Sequence, residues 1–122
     1  MRSEFYLFNV GPVPVSASIW FFALVSVMVS GEDLAFGAMW AAVVTVSILV
    51  HELGHAAVAQ RYRLNPRILL HGIGGLCAHD RADTDKQDAF IIAAGPAAGL
   101  ALGLVAFVVG AVAFFVNDGM YE

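Results

Sequence analysis

The chain is short of almost everything a water-soluble domain needs. Charged residues make up only 13% of its 122 positions, and six of those are Lys or Arg. That leaves too little polar surface to wrap a soluble core, and the mean hydropathy of +0.79 agrees. A single cysteine, Cys77, excludes an internal disulfide. The few basic residues form no stripe with interleaved aromatics, so no nucleic-acid partner is expected. Met1 to Phe5 lacks the basic-then-apolar layout of a secretory leader, and no cleavable signal peptide is read there. No tandem repeat or low-complexity linker breaks the chain.

What is present is apolar residue in blocks, 60% of the sequence. Glu4 to Val15 alternates around Gly11-Pro12-Val13-Pro14 and suits extended strands and a turn. Ser16–Ser30, with Val15 included, reaches just the length of a short membrane span. Gly31-Glu32-Asp33 ends it. Leu34 to Gln60 is a second span, closed by Arg61, Arg63, Arg67 and the stop signal Asn65-Pro66. Arg67–His71 and Leu76–His79 flank a glycine-rich turn and predict a hairpin. Thr84-Asp85-Lys86-Gln87 has capping-box spacing for a third helix over about 87–116, with Asn117-Asp118-Gly119 as its terminating turn. The expected fold is an all-α membrane protein, one integral-membrane domain over 1–122, with helices near 15–30, 34–61 and 87–116. A small sheet should unite the N-terminal strand region and the Arg67–His79 hairpin at the cytoplasmic membrane face, since either alone leaves edge groups unpaired.

The second span carries His51-Glu52-Leu53-Gly54-His55. Two histidines four apart share one helix face and can bind one Zn²⁺, and the Glu between them lies close enough to take a proton from a water at the metal. Ionisable groups inside a membrane helix are costly and mark a functional site by default. His51 and His55 are therefore the candidate zinc ligands and Glu52 the candidate general base. The bland reading is a polar cluster that hydrogen-bonds within the bundle. His71 and His79 read as hairpin residues, although either could fold back as a further ligand. Cys77 reads as a small strand residue, Asp80, Asp83, Asp85 and Asp88 as a solvated capping run, and the glycines at 95, 99 and 103 as a smooth helix-packing face. Arg2, Arg61, Arg63, Arg67, Arg81 and Lys86 fall on one side of a three-span bilayer, which the positive-inside rule makes cytoplasmic. Six and ten residues from Arg61, the histidines should lie roughly 9–15 Å below that surface.

His51-Glu52-Leu53-Gly54-His55 in a membrane helix, then Gly74-Gly75 in a hairpin, then Ala94-Gly95-Pro96 opening a third helix, resembles the site-2 protease family of intramembrane zinc proteases. The lead-in Gly11-Pro12-Val13-Pro14-Val15 fits as well. The resemblance implies Zn²⁺ on His51 and His55, Glu52 as general base, and cleavage of transmembrane segments of membrane proteins in regulated proteolysis. It also implies a third ligand, an aspartate in a Leu-Asp-Gly context opening a fourth core helix. Asp118-Gly119 echoes that motif from the far end of helix three, across the membrane from the metal. The chain is thus expected to be cut short of its third ligand and, alone, to bind zinc weakly with little or no activity. A C-terminal segment or a second copy is the expected completing partner. The competing reading is a catalytically incomplete membrane scaffold that binds metal or substrate. A metal transporter would show ligands on several helices, and here only the second has them.

Overall fold

The computed structural model describes residues 4–31 and 33–120. Arg2, Glu32 and the last two residues, used in the charge and turn arguments, lie outside them. Strands β1 (Glu4–Val10) and β2 (Val13–Ser18) are followed by helices α1 (Ile19–Val29) and α2 (Leu34–Arg61). The hairpin β3 (Arg67–His71) and β4 (Gly74–Ala78) leads into α3 (Asp85–Gly119).

The alternation at the N-terminus does become strands, and they share one sheet with the hairpin in the order β1-β2-β3-β4. β1 pairs with β2 antiparallel, and β3 with β4 likewise. The central pair is parallel, Val15 beside Ile68 and Ala17 beside Leu70, because α1 and α2 form the crossover between them. Val13, Val15, Ala17, Ile68 and Leu70 turn one sheet face onto Phe21 of α1 and Ala56 of α2, and this is the main core. A second cluster, Ala59, Leu64 and Ile91, joins the end of α2 to α3.

The helices differ from the sequence expectation in three places. The span read over 15–30 is divided: β2 takes residues through Ser18, and α1 keeps 11 residues. At 1.5 Å per residue that is about 16 Å, half a hydrocarbon core, so a third transmembrane helix is not present among the described residues. An apolar run does not by itself distinguish a buried strand from a helix, and Val13, Val15 and Ala17 were strand positions. Next, α3 runs from Asp85 through Gly119, so Asn117-Asp118-Gly119 continues the helix. Thr84 caps its start by accepting from the Gln87 N–H at 3.2 Å, while the Gln87 side chain accepts from the Asp83 N–H, one residue off the reciprocal box. Finally, Ala94-Gly95-Pro96 lies almost three turns inside α3 and does not open it.

α2 and α3 are each long and apolar enough to cross a membrane. Their most apolar windows are only 11% and 0% buried, whereas the core helix of a soluble protein would be mostly covered. The expected helical chain with a small sheet is otherwise found: the described residues are mostly helical, with one four-stranded sheet.

Candidate metal centre

α2 and α3 run antiparallel. His55 meets α3 at Ile91 and Gly95, Gly54 meets it at Ala94 and Ala98, and Ser47 shares a groove with Gly99 and Gly103. His51 and His55, a turn apart on α2, are brought edge to face with their ring planes at 80°. Their Nε2 atoms converge to 3.2 Å. His55 Nδ1 lies 2.6 Å from the backbone carbonyl of Ile91. A carbonyl only accepts, so Nδ1 carries the proton and Nε2 of the neutral ring keeps its lone pair. Orientation of a histidine through its other nitrogen is the usual support of a metal ligand.

Two imidazole nitrogens this close could share one zinc ion. With Zn–N bonds of about 2.0–2.1 Å, two nitrogens at this separation subtend roughly 100°, close to tetrahedral. Glu52, one residue along the helix, is 7% exposed and has turned toward the sheet. It lines a cleft of about 300 Å³ with Ser47, Ile48, His51 and Gly75. Catalytic zinc sites take three protein ligands. Among the described residues no group of three or more His, Cys, Asp or Glu side chains gathers to hold a metal, so the pair supplies two.

Two glycines make the arrangement sterically possible. A methyl group at Gly95 would overlap the His55 ring, reaching within 2.7 Å of Cδ2. A methyl at Gly75, in edge strand β4, would come 2.7 Å from Glu52 Cγ. Both distances are closer than real carbon contacts, so the two side chains occupy room that only glycine leaves. One residue after Gly95, Pro96 has no N–H to give the Ile92 carbonyl, which loosens the α3 ladder beside the histidine contact.

The remaining candidates stay apart from the pair. His71 Nδ1 accepts from the Ile73 N–H at 3.2 Å in the β3–β4 turn, and His79 Nδ1 donates to the Asp80 carbonyl at 2.7 Å. Asp118 is 27 residues beyond Ile91 in the same helix, about 40 Å away along its axis. Cys77 lies in β4 near the site, where burial pushes its thiol up to about 11, the Glu52 carboxylate adds to the rise and Arg67 opposes it. Without a metal beside it, the thiol stays protonated at neutral pH. A methyl at Gly99 or Gly103 would meet nothing within 4 Å, so of the three glycines only Gly95 is needed for close packing against α2.

Sequence reasoning missed the Ile91 carbonyl and the strand seated on Glu52. A backbone acceptor has no side-chain signature, and the only available hint was glycine at 75 and 95.

These features define a helical membrane-type chain with a paired-histidine metal motif. The model of peptidase family M50 matches residues 39–117. The chain belongs to that family, the site-2 proteases. It is 29% identical over 113 residues to a zinc metalloprotease of Methanocaldococcus jannaschii, covering 89% of this chain and 33% of that protein. A solved structure of a site-2 protease from Methanocaldococcus jannaschii superposes with a TM-score of 0.73 at 28% identity, covering 87% of this chain and 50% of that one. The chain therefore spans about a third of the curated relative and half of the solved one.

Proposed function

We propose that residues 1–122 form the histidine-bearing part of an intramembrane zinc metalloendopeptidase that cuts transmembrane segments of membrane proteins. The observation that carries this reading is the convergence of His51 Nε2 and His55 Nε2 to 3.2 Å beside the buried Glu52. His51 and His55 would hold the zinc, whose chemistry when bound is to polarise the scissile carbonyl and acidify the attacking water. The Ile91 carbonyl keeps the lone pair of His55 directed at the site. Glu52 takes one proton from the water as its oxygen bonds to the carbonyl carbon, then delivers that proton to the amine nitrogen as the C–N bond breaks. Burial of Glu52 under β4 keeps bulk water from competing for that proton. A substrate helix must unwind locally, because its peptide bonds are shielded by their own hydrogen bonds.

The relative's name, a zinc metalloprotease, supports the same chemistry here. We further propose a multi-pass location in the cell membrane with the site opening toward the cytoplasm, as the basic residues around α2 and α3 favour. The third ligand would be an aspartate opening a further helix, supplied by residues outside 1–122. An inactive metal- or substrate-binding scaffold is favoured only by the two-residue donor set. The discriminating experiment is cleavage of a reconstituted transmembrane substrate by the chain joined to a downstream aspartate-bearing helix, and by its Glu52→Gln variant. Loss of cleavage with zinc retained supports the enzyme; cleavage that survives the substitution contradicts it.

A further inference from the structure

On the flank of the α2–α3 contact lies an apolar groove of about 490 Å³, walled by Val58, Arg61 and Tyr62 on one side and by Phe90 and three alanines on the other. Phe90, Ala93 and Ala97 follow one another at helical spacing, and small side chains leave a slot between the helices. Lys86 continues the stripe one turn earlier, with its Nζ 5.9 Å from the Phe90 ring centroid. The slot is therefore apolar along its length and cationic at one end, where the last turn of α2 faces the first turn of α3. Arg61 and Lys86 are both exposed. Asp85 and Asp88 of that turn line a separate polar cavity with His79, Asp80, Arg81 and Asp83.

We propose that this groove holds one anionic phospholipid of the bilayer, an acyl chain along the alanines and the phosphate at Arg61 and Lys86. Charge complementarity selects this occupant. A guanidinium suits the phosphate as a fork, and Arg61 and Lys86 stand at the end of the apolar slot, on the side toward the start of α3. The inference rests on the membrane location and not on proteolysis. It also bears on the metal centre. Ala94 lines the groove and receives Gly54, and the Ile91 carbonyl on the same stretch of α3 holds His55.

The test is native mass spectrometry of the detergent-solubilised chain titrated with phosphatidylglycerol or with phosphatidylcholine of the same acyl chains. The wild type should retain one phosphatidylglycerol about five-fold or more in preference to phosphatidylcholine, the effect of roughly one well-placed cation. Arg61→Gln, a surface change that leaves the core intact, should remove most of that preference, and Arg61→Lys should restore part of it. Ala97→Phe should weaken retention of both lipids by filling the slot. Equal retention of the two lipids by the wild type would overturn the proposal. So would a preference unchanged by both Arg61→Gln and Lys86→Gln. A photo-crosslinker at Ala97 in the chain joined to a downstream aspartate-bearing helix that captures a polypeptide segment instead of lipid would assign the groove to a helix and likewise reject it.

Discussion

The two ends of the α2–α3 pair are built to different standards. At the His51–His55 end, α2 is closed in by the sheet, by α3 and by the buried residues Ala56 and Ala59, and methyl-sized intrusions at Gly54, Gly75 and Gly95 would meet neighbours. At the other end, Gly99, Gly103 and Gly110 meet nothing within 4 Å, and Leu104, Phe107 and Phe115 are exposed. The metal end is the more closely packed face of α3, although α2 is also closed against Met28 of α1 at Gly37; the open stretch of α3 along Gly99, Gly103 and Gly110 depends on lipid or on further protein to cover it. The ionisable groups occur at the end where the surrounding atoms are fixed, as a preorganised site requires.

The comparison can be broken most sharply at the histidines. His51→Ala or His55→Ala removes one of two nitrogen donors, and zinc binding should fall to background, measured by metal content after gel filtration in detergent. Retained zinc in both variants would place the metal elsewhere. Glu52→Gln should leave zinc in place while slowing hydrolysis in the chain joined to a downstream aspartate-bearing helix by about 10²-fold or more, the usual share of a general base.

Smaller effects separate the two ends directly. Gly95→Ala should displace the His55 ring and weaken zinc binding by about 10–100-fold, the range for disturbed support of a ligand, with helix content unchanged by circular dichroism. Gly99→Ala and Gly103→Ala, one and two turns away in open space, should leave zinc affinity unaltered. Equal losses at all three positions would mean that the contrast between packed and open ends is wrong. Gly75→Ala should lower activity and spare the metal, because it intrudes on Glu52 and not on the histidines.

Part of this was legible in the residues. The H-E-x-x-H spacing of His51, Glu52 and His55 is legible in the sequence as a candidate site, and the sheet was legible because isolated strand pairs at Glu4–Val15 and Arg67–His79 needed partners. The first helix begins later than its expected start near residue 15, because Val15–Ser18 continues the strand, and only pairing with Ile68–Leu70 reveals that continuation. The role of Gly95-Pro96 was read as a helix opening, whereas its function depends on which ring of α2 lies opposite, a fact of tertiary packing. The support of His55 by Ile91 is a backbone carbonyl, which every residue possesses.

The smallest expected effect concerns the strand beside Glu52. With the Cys77 thiol raised from 9.0 to about 11, the folded chain keeps a proton that the unfolded chain loses above pH 9. The folded state then binds more protons, so this group's contribution to stability is full below pH 9 and declines as pH rises toward 11. Iodoacetamide labelling of Cys77 in the folded chain should accordingly be slower at pH 7–8 than labelling of the unfolded chain, and should keep rising with pH toward 11. Rapid labelling at pH 7 would show that β4 does not lie against Glu52 as described.

The central claim is that His51 and His55 act together as a metal site held ready by α3. It is tested most directly by zinc titration of the purified 122-residue chain, its His55→Ala and Glu52→Gln variants, and the chain joined to a downstream aspartate-bearing helix. The account predicts weak binding by the short chain, unchanged in Glu52→Gln, lost in His55→Ala and strengthened when a downstream aspartate-bearing helix is present. Zinc bound equally well by the short chain with and without His55 would contradict it.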